Sequence, residues 1–503
     1  MSRLTACAPL SFEARALRRG FRDAGCQPDA VEVIRTGYGP ARAAAAAERI
    51  ARSSPHMLAV GGVGGGLTGD ARIGELIVAS WVTDGVTTTS CPSAPLLAGE
   101  FRRAGLPARA GPIVTVDHLV RQDHAALAAT GAIAVDMESA PLLAAAAGRP
   151  AVVVRAISDT PEHSVFSPHI VPDGIAALRS LRRAAPVLAR WAAAVGQRQV
   201  LLASPRSFCA GVERAIEIVE LALKRHGAPV YVRKQIVHNA TVVAGLERLG
   251  AIFVAELSEV PNGAVVVFSA HGVSPQVRAE AARRELRTVD ATCPLVAKVH
   301  AEARRFAADG YLVALIGHAG HEEVEGTMGE APASMVLVEN AADVAKLHPA
   351  DPGKVAYLMQ TTLAADEARG MVEAITERFP AATGPGSDDI CYATTNRQQA
   401  VKAIAAEADL VLIAGSANSS NSLRLVETAE RAGTRAHLVD SAEDIELGWL
   451  AGASVVGISA GASAPPAIVE QIVAALAGLG VVQARDVAVA TENVQFGIPK
   501  ELR

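Results

Sequence analysis

The sequence is poor in aromatic residues, which make up 4% of its 503 positions, and it has no strong excess of either charge. The formal net charge of −5 leaves no basic field of the kind that binds nucleic acid. A long uncharged stretch covers 448–469, but it contains Gly461 and the pair Pro465-Pro466, which would break a membrane-spanning helix. These absences argue against a nucleic-acid partner and against a membrane span.

Cysteine is also scarce, with six residues in the whole chain. An even number would suit a disulfide framework, but such frameworks belong to small secreted chains, and no long apolar leader segment stands near the start. We therefore expect a cytoplasmic protein whose cysteines are free thiols or metal ligands. The six are Cys7, Cys26, Cys91, Cys209, Cys293 and Cys391.

What remains is the composition of an α/β protein. A chain of 503 residues is too long for one hydrophobic core and predicts two to four domains. Apolar runs alternate with alanine-rich helical stretches, which predicts helices packed on sheets. We divide the chain into domains at 1–195 and 198–503, joined by a linker at 182–197. The strand candidates of the first domain are 57–60, 76–78, 133–135 and 152–157.

Three of the cysteines lie in turns that are predicted to connect a strand to a helix. Cys209 follows the apolar run 200–203, and Cys293 and Cys391 lie in similar turns. Free backbone N–H groups at a helix start favour a thiolate. Three cysteines would leave one iron of a cubane cluster without a protein ligand, and a Lewis-acid catalyst needs such an open position. The alternative is three buried cysteines that pack as small hydrophobic side chains.

Histidines and small polar residues follow other predicted strands. His238, His271 and His321 each come after an apolar run, at the strand end where α/β sheets bind ligands. Histidine and backbone N–H groups at that edge suit a diphosphate. His318 and His321 could instead hold a metal, an alternative that ranks lower because no third ligand has a fixed spacing. Dense polar loops of the same kind contain Ser419, Ser420, Asn421 and Ser463.

An acidic cluster and a threonine are candidates for proton transfer. Glu322, Glu323 and Glu325 follow the strand predicted at 312–316, and composition alone does not choose among them. A carboxylic acid at such a position can donate a proton to a leaving group. Thr361 follows another predicted strand, where it could relay that proton or simply cap a helix.

Together these segments resemble the hydroxymethylbutenyl diphosphate reductase family, the LytB/IspH enzymes, from about residue 199 to 503. The resemblance implies three similar α/β lobes around a central 4Fe-4S cluster held by Cys209, Cys293 and Cys391. It implies reduction of 4-hydroxy-3-methylbut-2-enyl diphosphate to isopentenyl and dimethylallyl diphosphate in the non-mevalonate pathway, with ferredoxin or flavodoxin as electron donor. It also selects Glu323 as the proton source, with Thr361 beside it.

The same resemblance implies the substrate contacts and shows one departure. The family usually has glycine where this chain has Ser207, before Phe208 and Cys209. A serine there would be strained if the backbone needs a positive φ. The positions that match family contacts to the substrate are His238, His271, His321, Thr361, Ser419, Ser420, Asn421 and Ser463.

Several segments of the first domain resemble the purine nucleoside phosphorylase and nucleosidase superfamily. They are the turn at 36–41, the glycine-rich loop at 61–67 with the segment that follows, and the acidic motifs at 135–139 and 155–159. The hopanoid-associated branch, which removes adenine from an adenosylated hopanoid, is the branch that the sequence resembles most. An α/β domain of the phosphorylase type is therefore expected at 1–195.

That resemblance implies roles for three carboxylates. Glu138 would bind ribose hydroxyls, Asp159 would protonate a departing purine, and Glu13 would activate water. Read from the residues alone, Glu138 could be an ordinary helix-start acid and Asp159 an N-cap. No convincing phosphate-binding set is present in the sequence, so hydrolase and phosphorylase remain alternatives.

Two other functions remain open on the sequence. The second domain could be an iron–sulfur sensor or a non-catalytic diphosphate-binding module, which would need the phosphate contacts but not the pair Glu323 and Thr361. The nucleosidase-like domain could also be the main activity beside a degenerate reductase. Retention of all three turn cysteines argues against that last interpretation.

Overall fold

The structure is a computed structural model that describes residues 3–121, 123–163, 165 and 167–503. It divides into two compact units, and neither is continuous in sequence. The first unit comprises Met1–Val200, Ser441–Val456 and Glu470–Ala484. The second comprises Leu201–Asp440, Gly457–Val469 and Arg485–Arg503.

The first part of the chain alternates strands and helices as predicted, and its strands form one mixed sheet. The strands are β1 (Leu4–Ala8), β2 (Val31–Arg35), β3 (Met57–Gly66), β4 (Leu76–Thr83), β5 (Thr88–Ser90), β6 (Ala108–Thr115), β7 (Ala134–Asp136) and β8 (Ala151–Asp159). The helices are α1 (Ser11–Asp23), α2 (Pro40–Ser53), α3 (Ala94–Arg103), α4 (His124–Ala128), α5 (Ser139–Ala144) and α6 (Ile170–Ala194). The sheet order is β2-β1-β3-β7-β6-β4-β5, and β8 pairs with β3 and β4. The four predicted strands are confirmed: 57–60, 76–78 and 152–157 lie within β3, β4 and β8, and 133–135 overlaps β7, which begins one residue later.

Glycine in β3 makes room for buried charge. Gly62 lies opposite Arg155 in the parallel pairing of β3 with β8. A Cβ atom on Gly62 would lie 2.4 Å from Nη1 of Arg155 and 3.0 Å from Oε1 of Glu13. The glycine-rich run therefore lets an arginine of one strand and a glutamate of α1 reach the same point of the sheet.

The arginine- and alanine-rich helix that we predicted to end at Gly196 is confirmed and ends at Ala194, but its packing shows that 182–197 is not a linker. It forms the second half of α6, in which Val187, Leu188 and Trp191 are buried. The arginines that suggested an exposed connection lie on the outer face, where Arg182 pairs with Asp23 at 2.7 Å. The helix packs along α1, so the segment belongs to the core of the first unit.

Two segments from later in the sequence also belong to the first unit. Gly99 of α3 lies so close to Glu443 that a Cβ atom would be 1.9 Å from its carbonyl oxygen. Arg103 donates hydrogen bonds to the carbonyls of Glu443 at 2.8 Å and Ile445 at 2.9 Å. The division into domains at 1–195 and 198–503 stays a prediction. The first compact unit also includes the two later segments, Ser441–Val456 and Glu470–Ala484, which lie beyond that boundary in sequence.

The rest of the chain is also α/β. Its strands are β9 (Arg198–Ser204), β10 (Val230–Arg233), β11 (Ala251–Val254), β12 (Val265–Phe268), β13 (Arg287–Asp290), β14 (Leu312–Ile316), β15 (Met335–Val338), β16 (Val355–Met359), β17 (Leu410–Ala414), β18 (Ala436–Val439), β19 (Val455–Ala460) and β20 (Val482–Ala488). Its helices are α7 (Ala210–His226), α8 (Ala240–Arg248), α9 (Pro275–Arg283), α10 (Pro294–Ala308), α11 (Glu322–Met328), α12 (Ala341–Val344), α13 (Ala365–Arg378), α14 (Tyr392–Ala405), α15 (Ser420–Arg431), α16 (Leu447–Leu450) and α17 (Pro466–Ala477). Within the part of the chain that the structure describes, no helix has the length and apolarity that a bilayer crossing requires.

These strands form three sheets, which confirms the three predicted lobes. Lobe 1 has the order β11-β10-β12-β13, lobe 2 has β15-β14-β16, and lobe 3 has β18-β17-β19-β9-β20. The strand pairs of lobes 1 and 2 are parallel. Parallel strands place their carboxyl ends at one edge, where the following loops can gather around a ligand.

Three long helices carry the chain from one lobe to the next. Helix α7 leads from β9 of lobe 3 to lobe 1, α10 leads from β13 to lobe 2, and α14 leads from lobe 2 to β17 of lobe 3. The prediction that Cys391 directly follows a strand is wrong. After β16 the chain passes through α13 and a loop in which Thr383 forms a β-bridge with Ala356, and Cys391 comes after this loop.

Candidate active sites

The three turn cysteines occupy equivalent positions at the starts of the three connecting helices. Cys209 is the N-cap of α7, Cys293 of α10 and Cys391 of α14. All three line a single cavity of the second unit. A Cβ atom on Gly211 would lie 2.8 Å from Sγ of Cys293 and 3.8 Å from Sγ of Cys209, so these two sulfurs face the same point. The structure therefore brings together the three cysteines that the sequence analysis selected.

The chemistry of this donor set fits a metal cluster. Burial raises the pKa of Cys293 to about 11 and that of Cys391 to about 12, and neighbouring cysteines raise both further. Backbone N–H groups at the helix starts act in the opposite direction, and Thr394 donates its N–H to Sγ of Cys391 at 3.3 Å. Buried thiols with such pKa values ionise when a bound cation compensates the charge. Three sulfurs on one cavity thus suit an iron–sulfur cluster, which the resemblance implied.

A buried acid lies at the same cavity. Glu323, in the first turn of α11, is 2% exposed. Its Oε1 accepts the backbone N–H of Thr361 at 2.7 Å, and its Oε2 accepts the Thr361 hydroxyl at 3.1 Å. Burial raises the pKa of Glu323 to about 7, although these two hydrogen bonds oppose the shift. A carboxyl group with that pKa carries a proton for a large part of the time near neutrality, as a general acid requires.

The rival carboxylates have other partners, and Thr361 does not cap a helix. Glu322 lies 3.3 Å from Nδ1 of His271, and Glu325 pairs with Lys234 at 2.9 Å on the surface. Helix α13 begins after an N-cap at Ala364, beyond Thr361. The geometry therefore favours Glu323 over both neighbours as the acid that faces the cavity.

The three predicted histidines form a cluster on the cavity wall. The rings of His238 and His271 stack with centroids 4.2 Å apart, and His321 meets both edge-on at 5.8 Å. Burial, and then the neighbouring His271, lower the pKa of His238 to about 3 and that of His321 to about 4. The rings of His238 and His321 are therefore neutral near pH 7 and suited to an anionic ligand. His318 does not share this wall, because its Nε2 lies 2.6 Å from the guanidinium of Arg424.

The polar loops predicted to bind phosphate also reach the cavity. Ser419 is the N-cap of α15, and its hydroxyl accepts the N–H of Ser422 at 3.3 Å. Ser463 donates its hydroxyl to the carbonyl of His238 at 3.0 Å. Both side-chain polar atoms of Asn421 are buried without a hydrogen-bond partner among the described residues. Because unpartnered buried amides are costly, this one indicates a polar ligand.

Further residues line the cavity without having been assigned a role from the sequence. Gln360 belongs to the same polar network, since it donates to Thr362 at 2.7 Å and accepts the N–H of His318 at 3.1 Å. The doublet of threonines after β16 was a usable signal for Thr362, whereas nothing in the sequence pointed to an aromatic residue near the C-terminal end. Among these further cavity-lining residues are Thr362, Leu295, Tyr392, Thr394 and Phe496.

Ser207, the departure from the family pattern, has the positive φ that strains a serine. Its φ is +63°, in the left-handed region, and the residue is buried. A side chain in that region costs roughly 1–2 kcal/mol relative to glycine. The conformation is held by Arg397, which donates two hydrogen bonds to the Ser207 carbonyl at 2.7 and 3.0 Å.

A second, separate pocket lies within the first unit. Glu13, Glu138 and Asp159 all line it, as the resemblance implied. Glu13 accepts the N–H groups of Leu10 and Val63 at 2.6 and 2.8 Å, and Glu138 accepts that of Gly39 at 2.9 Å. Glu138 also precedes α5 as its N-cap, so one alternative interpretation of this residue holds in part.

The acids of this pocket surround one buried arginine, Arg155. Its Nε lies 2.7 Å from Asp136 and its Nη2 lies 3.7 Å from Glu138. Burial raises the pKa of Glu13, Glu138 and Asp159, and Arg155 opposes that shift for the first two. Asp159 ends β8 and accepts the hydroxyl of Ser158 at 2.8 Å, so it is a strand-end acid and not an N-cap.

The lobes and their cavity define the second half of the chain as a three-lobed α/β enzyme. Residues 200–477 match the family model described as LytB protein, and the chain belongs to this family. Residues 29–170 match the model described as phosphorylase superfamily. The protein therefore combines a LytB domain with a phosphorylase-superfamily domain that precedes it.

Named relatives agree with that assignment. The chain is similar to 4-hydroxy-3-methylbut-2-enyl diphosphate reductase 2 of Mycobacterium bovis, with 58% identity over 62% of this chain and 95% of the relative. It is also similar to the 4-hydroxy-3-methylbut-2-enyl diphosphate reductase of Streptomyces avermitilis, with 57% identity over 61% and 91%. The solved structure of the E-1-hydroxy-2-methyl-but-2-enyl-4-diphosphate reductase from Plasmodium falciparum is similar at a TM-score of 0.59, with 38% identity over 61% of this chain and 97% of that chain.

Proposed function

We propose that the second half of the chain reduces 4-hydroxy-3-methylbut-2-enyl diphosphate to isopentenyl and dimethylallyl diphosphate, the last step of the non-mevalonate pathway. The chain is thus an oxidoreductase, of the class to which its relatives belong. The observation that carries this proposal is the convergence of three cysteines, a buried acid and a set of anion-binding groups on one cavity.

A 4Fe-4S cluster held by Cys209, Cys293 and Cys391 fits this cavity. When bound, the cluster supplies Lewis acidity at an iron that has no protein ligand and passes electrons from a donor to the substrate one at a time. Ferredoxin or flavodoxin is the donor that we propose. The helix N-termini behind the three sulfurs favour their anionic form.

The opposite wall of the cavity holds the diphosphate. The amide of Asn421 and the hydroxyl of Ser419 donate hydrogen bonds to phosphate oxygens, and Ser463 holds the His238 backbone beside them. His238 and His321 gain protons from solvent when the anion enters, because its negative charge opposes the burial that lowers the pKa of both rings, and His271 lies against both of them. Anchored in this way, the substrate directs its hydroxyl end toward the sulfurs and Glu323.

Glu323 then supplies protons. The overall change breaks the C–O bond of the allylic alcohol, adds two electrons and two protons, and releases the five-carbon diphosphate and water. Glu323 gives one proton to the departing hydroxyl, and Thr361 holds the carboxyl group in place through its N–H and hydroxyl. The second proton goes to one or the other end of the allyl unit, which decides between the two products.

An anaerobic assay of the full chain with the allylic diphosphate and a reduced donor tests the proposal. We expect equimolar loss of substrate and appearance of the two five-carbon diphosphates. Tight binding of the substrate without turnover would instead support a sensor or a diphosphate-binding module. The pair formed by Glu323 and Thr361 favours the enzyme, because a binding module has no use for a buried acid with a pKa of about 7.

We further propose that the phosphorylase-superfamily domain cleaves an N-glycosidic bond, with an adenosylated hopanoid as substrate. The placement of Glu13, Glu138 and Asp159 around one pocket supports this proposal. Asp159, whose pKa is raised by burial, would protonate the departing base, and Glu138 would accept the ribose hydroxyls. Adenine release from a 5′-lipid-substituted adenosine tests it, and Asp159→Asn should abolish that release. Unchanged release by this variant would contradict the role of Asp159.

A further inference from the structure

Each of the three helices that begin at a cysteine carries a basic residue about one and a half turns further on. Arg214 lies five residues after Cys209 on α7, and Lys298 lies five residues after Cys293 on α10. Arg397 lies six residues after Cys391 on α14. None of the three was assigned a role by the sequence or by the reaction proposed above.

Arg214 reaches the loop that presents the next cysteine. Its Nη1 donates to the carbonyls of Ala291 at 3.2 Å and Thr292 at 3.1 Å, directly before Cys293. Its Nε donates to the carbonyl of Gly497 at 2.8 Å. Helix α7 packs on lobe 1, and Ala291 to Cys293 leave that lobe, so Arg214 ties the entrance of lobe 1 to its exit.

Lys298 does the same in lobe 2. Its Nζ donates to the carbonyls of Ser387 at 2.6 Å and Asp388 at 3.1 Å, and it pairs with Asp389 at 3.0 Å. These residues directly precede Cys391. Asp389 is buried and accepts the N–H of Met359 at the end of β16, so the loop is held to the sheet as well as to α10.

Arg397 makes the corresponding contact in lobe 3, with the loop before Cys209. Its guanidinium donates to the carbonyls of Ser207 and Phe208 at 2.7 to 3.0 Å, directly before Cys209. It is fully buried and pairs with Glu492 at 3.0 Å. The strained backbone of Ser207 is thus fixed by a cation from the helix that follows Cys391.

We propose that Arg214, Lys298 and Arg397 form a closed ring of positioning residues around the iron–sulfur cluster. Each cation lies on the helix that begins at one cysteine and donates hydrogen bonds to carbonyl oxygens that shortly precede the next cysteine. The order runs from Cys209 to Cys293, to Cys391 and back to Cys209. The ring sets the spacing of the three sulfurs, and it places three positive charges around an anionic centre. This inference rests on the proposed function, since it takes the three cysteines as the cluster ligands.

The three cations differ in how far their charge is compensated. Lys298 faces Asp389, and Arg397 faces Glu492. Arg214 makes no salt bridge within 4 Å among the described residues, its three hydrogen bonds go to carbonyl oxygens, and Asp290 acts on it only from a greater distance, so its charge is the least compensated of the three. Reduction adds negative charge to the centre, so a nearby uncompensated cation favours it. Loss of Arg214 should therefore lower the reduction potential more than loss of Lys298.

The experiment compares charge-removing and charge-keeping variants of the full chain, purified anaerobically with their clusters. Lys298→Met and Arg214→Met remove a member of the ring, and Lys298→Arg keeps the charge. Lys402→Met is the matched control, because Lys402 stands on α14 but pairs with Asp366 on the surface. The readouts are iron and sulfide content, the rate of iron loss to a chelator, and the reduction potential from a titration followed by electron paramagnetic resonance.

We expect both methionine variants to lose iron about 10- to 100-fold faster than the unmodified chain, as is typical when groups that orient metal ligands are removed. Their potentials should be more negative, while Lys298→Arg recovers most of the iron retention and Lys402→Met behaves as the unmodified chain. Unchanged iron loss and potential in Lys298→Met would overturn the ring, even if Arg214→Met does not fold. A full chain that binds no iron and sulfide at all would overturn the proposed function, and the ring with it.

Discussion

The cavity of the second unit and the pocket of the first treat buried polar groups in opposite ways. In the first unit, Arg155 already compensates Asp136 and Glu138. In the second unit, burial lowers the pKa of His238 and His321, and the amide of Asn421 has no hydrogen-bond partner among the described residues. In that unit, Arg214, Lys298 and Arg397 donate hydrogen bonds to main-chain carbonyls. This difference agrees with our proposals that the pocket of the first unit binds a neutral or weakly charged ligand and that the cavity of the second unit binds a strong anion.

The largest effect is expected for Cys293→Ser, which removes one of the three cavity sulfurs. A serine hydroxyl is a poor ligand for iron in such clusters, so most iron, the visible charge-transfer absorbance and the reductase activity should be lost. Iron analysis and absorbance spectra measure this directly. Cys91→Ser, at a buried cysteine of the first unit, is the control and should keep the cluster. Full iron content and activity in Cys293→Ser would refute the ligand assignment.

Arg155→Met tests the opposite design of the first pocket. Breaking a buried ion pair by removal of one partner typically destabilises a protein by about 3–5 kcal/mol. Asp136 and Glu138 would be left without their cation, so we expect a lower unfolding midpoint of the first unit and loss of adenine release. Iron content should stay normal. Arg52→Met, which removes an exposed pair with Glu48, should leave adenine release and the midpoint nearly unchanged; an equal effect of both variants would contradict the comparison.

A smaller effect is expected for His271→Ala in the histidine cluster. The variant removes one anion-binding ring and leaves Glu322 without its partner at 3.3 Å. We expect a Michaelis constant for the allylic diphosphate raised by about 10-fold or more, with a smaller change in kcat, since a charge-assisted hydrogen bond contributes roughly 1.5–3 kcal/mol. Steady-state kinetics separate the two constants. A fall in kcat alone would show that His271 acts in the chemistry and not in binding.

The smallest effect, proton uptake on binding, sharpens the comparison. The pKa values of His238 and His321 are lowered to about 3 and about 4, so both rings are neutral near pH 7 without ligand. A diphosphate raises these pKa values, and binding then takes up protons and weakens as the pH rises. Calorimetry in buffers of different ionisation enthalpy measures the uptake. Binding with no proton transfer between pH 6 and 8 would show that neutral donors alone hold the anion.

Local features of the structure could be predicted from the sequence, and distant ones could not. The strand predicted at 312–316 has those same bounds in the structure, because a short apolar run between turn residues has few alternatives. The helix starts at the cysteines are likewise local. The linker at 182–197 was wrong, because arginine content alone does not show that the opposite face of α6 is buried.

The ring of cations lay beyond the reach of the sequence for a clear physical reason. Arg397 and the Ser207 carbonyl are separated by 190 residues, and Lys298 and Ser387 by 89. A side chain that grips a main-chain carbonyl leaves no pattern in the residues of its target. The positive φ of Ser207, by contrast, was expected from the glycine that relatives carry there, although not the arginine that holds it.

Glu323→Gln tests the central claim of a buried acid at a cluster cavity most directly. Glutamine keeps the size of the side chain and removes the acidic proton, so the cluster and substrate binding should be kept while kcat falls by about 100- to 10,000-fold. In the unmodified enzyme the rate should decline as the pH rises above about 7, where Glu323 loses its proton. A near-normal kcat in Glu323→Gln, measured anaerobically at saturating substrate, would contradict the account.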